Sequence, residues 1–152
     1  MKVLVTGGTG FLGSALVKTL RSAGHQVIFT SRRDENIDNG MYNLGDISAQ
    51  TNWTTLLQDC DTVIHTAGRA HILNDKAEDT LTEFRRVNHD ATMKLAHDAI
   101  SCNVKHFIFV SSIGVNGNST SGIPFSETTP ARPTSDYAIS KLEAEESLLK
   151  AF

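Results

Sequence analysis

Short apolar runs alternate along this chain with stretches whose apolar positions recur every three or four residues. Lys2 to Thr6 is the first run, β-branched and of strand length. Helical spacing follows from Phe11 to Ala23, with Phe11, Leu12, Ala15, Leu16, Thr19, Leu20 and Ala23 assigned to one side. Gly24 stands where a left-handed C-terminal cap belongs. Gln26 to Thr30 and Met41 to Leu44 predict the second and third strands. Ser48 can cap a helix carrying Trp53, Leu56 and Leu57. Thr62 to Thr66 is the fourth strand. From about Thr80 to about Ser101, Leu81, Phe84, Val87, Ala91, Leu95 and Ala99 predict a helix roughly 30 Å long, enough to cover a sheet. His106 to Ser111 is a continuous apolar run of the kind buried on both faces of a parallel sheet. Arg69 to Asp79 and Ile113 to Thr134 lack periodicity and read as loops. The second holds Pro124, Pro130 and Pro133, and loops of that length in compact domains are usually functional or mobile. A last helix runs from about Ser135 to Lys150.

Strands that alternate with helices demand right-handed crossovers and a parallel sheet, hence an α/β protein of three layers. With a glycine-rich turn after the first strand, the expected strand order is 3-2-1-4-5, with the ligand at the carboxyl edge. The 152 residues suffice for one domain with a real core. Fourteen basic against seventeen acidic residues give a net charge of -3, which points to neither nucleic acid nor an anionic membrane. The apolar runs are too short to span a bilayer. Met1-Lys2 leads straight into a core strand, so no signal peptide is expected, and the location expected is cytoplasmic. Cys60 and Cys102 form no C-x-x-C and read as reduced, small buried residues. His65 reads as part of strand four, and His71, His89 and His97 share no ligand spacing, so no metal site is expected.

Candidate chemistry begins at Thr6-Gly7-Gly8-Thr9-Gly10-Phe11-Leu12-Gly13, where a strand breaks into glycines and then a helix. First-turn amides have no partner within a helix and the dipole adds partial positive charge there, so a phosphate can approach. The pattern G-x-G-x-x-G fits through Gly8, Gly10 and Gly13, and the wider spacing through Gly7, Gly10 and Gly13; a plain structural turn is the alternative. Tyr137 and Lys141 form Y-x-x-x-K, which places both on one helix face. A phenol ionises near pH 10, and a nearby ammonium lowers that value, so Tyr137 can serve as a base; a surface pair is the alternative. Ser111-Ser112 follow strand five, where a hydroxyl can meet a substrate oxygen or merely satisfy backbone. Asp46 can accept from an adenine amino group or cap the next helix. Asn88 sits mid-helix, where asparagine is unfavourable. It either bridges the fourth and fifth strands to the site or faces solvent.

These pieces stand in the order Thr6 to Gly13, Gly45-Asp46-Ile47, His65-Thr66-Ala67-Gly68, Val87-Asn88, Val110-Ser111-Ser112, Glu127-Thr128-Thr129-Pro130 and Tyr137-Ala138-Ile139-Ser140-Lys141. Along its whole length the chain resembles the extended short-chain dehydrogenase/reductase family, and within it the NAD-dependent epimerase/dehydratase, UDP-glucose 4-epimerase-like group. The resemblance implies a Rossmann-type doubly wound sheet and an enzyme acting on a nucleotide sugar with NAD or NADP. It implies that Gly7, Gly10 and Gly13, with the amides of Phe11 and Leu12, hold the pyrophosphate. Asp46 and Ile47 would sit at the adenine, Ala67 and Gly68 beside the nicotinamide ribose, with Asn88 near them. Ser112, preferred over Ser111, would join Tyr137 and Lys141 as the catalytic set, and Lys141 would also hold the ribose. In such 4-epimerases a sugar C4 hydroxyl is oxidised, the keto-sugar rotates, and hydride returns to the other face.

One position departs from the NAD pattern. NAD-preferring members carry an acid at the end of strand two, where this chain has Ser31 followed by Arg32 and Arg33. Serine does not repel a phosphate and arginine forks match one, so acceptance of NADP is expected; a solvated turn is the alternative. The resemblance also implies a sixth strand and a sugar-binding C-terminal domain past Phe152. The chain is therefore expected to be a truncated cofactor half with little turnover, an uncovered strand edge, and a homodimer through a four-helix bundle formed by the helices at about 80–101 and 135–150. The competing functions are an NADP-dependent carbonyl reductase of the same superfamily and a non-catalytic dinucleotide sensor.

Overall fold

The computed structural model describes residues 1–32, 40–70 and 77–152. Arg33 and the rest of the expected charged turn beyond Arg32 lie outside the described residues, as does His71 with the middle of the 69–79 loop.

Five parallel strands form one sheet: β1 (Lys2–Thr6), β2 (Gln26–Ser31), β3 (Met41–Asn43), β4 (Thr62–His65) and β5 (His106–Phe109), in the order β3-β2-β1-β4-β5. β1 lies at the centre, with Val5 paired to Phe29 on one side and to Ile64 on the other. Because alternate strand residues face opposite sides, the core divides in two. Leu4, Ile28 and Val63 pack with Trp53, Leu57 and Leu95 on one face. Val3, Val5, Val27, Phe29 and Ile64 pack with Val17 on the other. Helix α1 (Phe11–Ser22) covers this second face, while α2 (Thr54–Leu57) and α4 (Ala91–Ser101) cover the first. The doubly wound three-layer architecture and its strand order are those expected.

Four local expectations are corrected. The inner face of α1 is Gly13, Leu16, Val17 and Leu20, whereas Phe11, Leu12, Ala15, Thr19 and Ala23 are exposed. A Cβ on Gly13 would lie 2.2 Å from the Gly7 carbonyl oxygen, so the missing side chain lets the helix close on the turn and sets which face packs. Ser48 caps no helix: its Oγ accepts from the Gln50 amide, and α2 is one turn that starts at Thr54, whose amide is taken by Asn52 Oδ1 at 3.0 Å. β5 is an edge strand whose exposure alternates, with Ile108 49% exposed, because an apolar run reads the same whether or not both faces are covered. Cys60 is buried as expected, but Cys102 is only half-buried.

The long helix is present but not uniform. It comprises α3 (Thr80–Arg85), a π-helical segment at Arg86–Asp90, and α4. One extra residue per turn in the middle carries Asn88 into the interior, where it is 1% exposed. Helix α5 (Asp136–Ala151), capped by Ser135 Oγ on the Ala138 amide, packs along α3, the π segment and α4. The bidentate pair Arg85–Glu143 and the Thr80–Asp136 hydrogen bond tie α5 to α3.

Candidate functional site

A cleft of about 430 Å³ opens over the carboxyl ends of β1, β2 and β4, where the doubly wound topology places ligands. Its wall includes Gly7, Gly10, Ser31, Arg32, Asp46, Ile47, Ala67 and Gly68 from the expected set, together with Thr9, Thr30, Thr66, Arg69, Arg86 and Val87. Phe11, Leu12, Gly13, Asn88, Ser112, Tyr137 and Lys141 are not part of that wall.

The floor is shaped by the absence of side chains. Gly7 adopts φ +67°, a left-handed conformation, and a Cβ there would touch Ala67 on β4's outlet at 3.0 Å. A Cβ on Gly8 would lie 2.5 Å from Phe29 of β2. Both glycines therefore let the turn sink between its neighbouring strands. Gly10 caps α1 with no side-chain bond, and no acid stands in the first turn, so its amides face the cleft without a competing anion. Phe11 is 99% exposed beside them. This uncapped, acid-free helix start suits a diphosphate; the residues present fit a dinucleotide.

At the β2 end, Ser31 is buried with its Oγ 3.2 Å from Thr9 Oγ1. Arg32 and Asp46 face each other across the lip at 3.8 Å, both exposed. Asp46 does not cap a helix, because none starts until Thr54. Ile47 is buried in the core and lines the cleft.

A buried chain of hydrogen bonds joins the other end of the cleft to α5. Thr6 Oγ1 accepts the amides of Thr66 (3.2 Å) and Ala67 (3.1 Å), which uses both lone pairs. Its single proton therefore goes to His65 Nδ1, 2.6 Å away. That leaves the ring hydrogen on Nε2, which donates to Thr92 Oγ1 at 2.9 Å, and Thr92 in turn donates to the Asn88 carbonyl at 2.8 Å. His65 is thus fixed as the neutral Nε2–H tautomer. Burial, and secondarily the charge of Lys141, push its pKa down to about 3. Asn88 Oδ1 accepts the Arg69 amide at 2.8 Å, while Nδ2 donates to the Arg69 carbonyl and to Ser140 Oγ, each at 3.0 Å. Ser140 Oγ donates to the Tyr137 carbonyl at 2.7 Å. Asn88 therefore does not face solvent, and it bridges the segment after β4 to α5 where the fourth and fifth strands were expected to be joined to the site. Thr6, Thr92 and Ser140 were not singled out from sequence, nor was His65 as a junction. Their signal was a polar residue at a position whose periodicity calls for an apolar one.

Tyr137 and Lys141 project from the first two turns of α5. The Tyr137 ring meets Phe84 edge-on at 6.1 Å. Lys141 is 4% exposed, with its Nζ 3.8 Å from the centre of the Phe109 ring, and burial pushes its pKa down to about 8 despite Glu145 nearby. Ser112 begins a 3₁₀ turn, where its Oγ accepts the Gly114 amide at 3.2 Å. A Cβ built on Gly114 would lie 3.5 Å from the Ala138 Cβ, so this turn runs close to α5 beside Tyr137. The neighbouring Ser111 Oγ is buried with no partner among the described residues. The loop beyond folds back on itself through Arg132 N to the Val115 carbonyl and Asn116 Nδ2 to the Thr129 carbonyl. Among the described residues, no helix is long and apolar enough to cross a membrane.

Known proteins resemble this chain in sequence and in fold. The chain is 42% identical over 150 residues to a UDP-glucose 4-epimerase of Vibrio cholerae, covering 97% of this chain and 46% of that protein. It is 30% identical over 159 residues to the mouse dTDP-D-glucose 4,6-dehydratase, covering 95% of this chain and 44% of that one. The structure of MoeE5 in complex with UDP-glucose and NAD superposes with a TM-score of 0.84 at 30% identity, covering 99% of this chain and 49% of MoeE5. The chain thus spans somewhat under half the length of these relatives. Residues 3–151 match the model of the NAD dependent epimerase/dehydratase family, and the chain belongs to that family.

Proposed function

We propose that the chain supplies the cofactor-binding and proton-transferring part of a nucleotide-sugar epimerase, of the UDP-hexose 4-epimerase kind. The observation that carries this is a buried ammonium, Lys141, one turn from Tyr137 on a helix keyed through Ser140 and Asn88 to the rim of the cleft. Gly7 and Gly10 would admit the pyrophosphate and the amides of Phe11 and Leu12 would bind it, with Gly13 letting α1 close on the turn that holds them. Ile47 lines the adenine end and Asp46 accepts from its amino group. Ala67 and Gly68 border the nicotinamide ribose, whose hydroxyls Lys141 binds. A bound NAD would supply the hydride acceptor and donor for the sugar carbon.

The chain's own residues then handle the proton. Ser112 Oγ already accepts the Gly114 amide, so its O–H is available to donate to the sugar oxygen. Tyr137 takes the proton from that hydroxyl as the carbon is oxidised. The ammonium of Lys141 stabilises the phenolate charge. Asn88 and Ser140 hold the turn of α5 that carries Tyr137 in register with the cleft. A sensor would need no such base.

Because Ser31 is uncharged and Arg32 stands at the lip, the site accepts NADP as well as NAD. That same observation favours the second reading, an NADP-dependent carbonyl reductase. The exposed apolar residues Ile100 on α4 and Leu149 on α5 suit a homodimer through these helices. The test is to mix the protein with UDP-hexoses and follow both hexose interconversion and reduced-nicotinamide absorbance. Interconversion lost in Tyr137→Phe with NAD binding retained supports the epimerase. Net oxidation of NADPH by simple carbonyl compounds, with UDP-hexoses untouched, selects the reductase. Binding of cofactor with neither reaction, in a protein extended to the length of its relatives, selects the sensor.

A further inference from the structure

We propose that Phe109 is a positioning residue: its ring face holds the ammonium of Lys141 in place on α5, one turn from Tyr137. This rests on the reading of Lys141 as the group that meets the cofactor ribose and supports Tyr137, and deepens it by naming what fixes that group. The Lys141 Nζ stands 3.8 Å from the centre of the Phe109 ring, well inside the range of a cation–π contact. Lys141 is 4% exposed, and the ring of Phe109 is the contact described for its ammonium. A charge on a side chain this buried gains from a compensating partner, and the negative face of an aromatic ring is one that an aliphatic side chain of equal bulk could not offer.

The ring is itself pinned. Phe109 ends β5 and stacks on the His65 ring at 5.9 Å and 24°, and both nitrogens of His65 are hydrogen-bonded to threonines. The position of the cation is therefore inherited from the centre of the sheet. Phe109 also lies three residues before Ser112, so one short segment carries the cradle for the ammonium and the hydroxyl proposed to meet the sugar oxygen. The other groups around Lys141 do not replace the ring. Glu145, one turn on along α5, acts through space, His65 faces it from β4 in the neutral form, and Tyr137 is one turn back. On the helix packed against α5, Arg85 is engaged by Glu143 and His89 by Ser147.

The test follows the Lys141 titration by NMR of the unliganded protein labelled in lysine side chains, with NAD affinity measured separately by calorimetry. In the wild type the Lys141 midpoint is expected near 8. In Phe109→Leu it falls by about one pH unit, and in Phe109→Tyr it stays. Fluorinated phenylalanines at position 109 weaken the ring face while keeping its shape, so the midpoint falls stepwise with each fluorine even if the leucine variant folds poorly. NAD affinity drops about fivefold in the same series. A midpoint indifferent to fluorination, or one that falls as far in Phe109→Tyr as in Phe109→Leu, overturns the proposal. A midpoint that tracks the ring while NAD affinity stays constant overturns the cofactor role of Lys141 and leaves the ring's hold on it standing.

Discussion

The two ends of the cleft are built on opposite principles. At the β1–α1 end, fit comes from missing atoms: Gly7, Gly8 and Gly13 let the turn, Phe29 and α1 approach within distances a methyl group would forbid. At the β4–α5 end, fit comes from polar atoms that are present, buried and mutually satisfied, from Thr6 through His65, Thr92 and Asn88 to Ser140. The first kind of site depends on sterics alone and is insensitive to pH. The second depends on each proton lying on a particular atom, and one misplaced proton is felt along the chain.

The sharpest way to break the first end is Gly13→Ala. The new methyl would sit 2.2 Å from the Gly7 carbonyl oxygen, backbone that cannot step aside, so unfolding in urea should reveal a loss of about 3 kcal/mol and NAD binding should disappear. At the second end, acid is the probe. The folded protein keeps His65 neutral down to about pH 3, whereas the unfolded chain gains that proton near 6.5. Between those values the unfolded state binds more protons, so stability falls as pH falls, by up to about 1.4 kcal/mol per pH unit. His65→Gln should be less stable at neutral pH by about 2 kcal/mol, from the imperfectly met threonines. It should also show a flatter dependence of its urea midpoint between pH 4 and about 6. An identical slope in both proteins would remove His65 from the network's account.

A change of opposite sign is expected one helix away. Lys141→Met removes a buried cation and should raise stability by about 1 kcal/mol while NAD binding weakens, the outcome expected if Lys141 holds the cofactor ribose as proposed. The smallest effect belongs to the lip. Arg32 is exposed and 3.8 Å from Asp46, so Arg32→Ala should leave the unfolding midpoint unchanged. It should weaken NADPH binding about tenfold and NAD binding hardly at all, which titration calorimetry would resolve.

The same contrast explains what could be read from the sequence. The glycine end was legible because glycine announces its reason for being there: Gly7, Gly10 and Gly13 follow an apolar run and open a helix. Strand order followed from that turn and from alternation. The polar end was only half legible. Asn88 was conspicuous in mid-helix, but its partners lie 19 and 52 residues away, and no local spacing encodes such distances. The exposure of β5 was misjudged because a run such as Phe107-Ile108-Phe109 states its apolarity and not its neighbours. The inner face of α1 was misassigned because Gly13, lacking a side chain, contributes nothing to an apolar stripe while deciding where the helix rests.

The π-helical segment at Arg86–Asp90 fixes the phase of everything before it. It advances the winding by one residue, so a single deletion there would restore an ordinary screw and rotate α3 by roughly a quarter turn or more about its axis. Phe84 would swing off Tyr137 and Arg85 off Glu143, while α4 stayed seated on the sheet. Length in this short stretch is therefore as constrained as identity, and insertions or deletions tolerated elsewhere on the helix would here uncouple the tyrosine from the cleft.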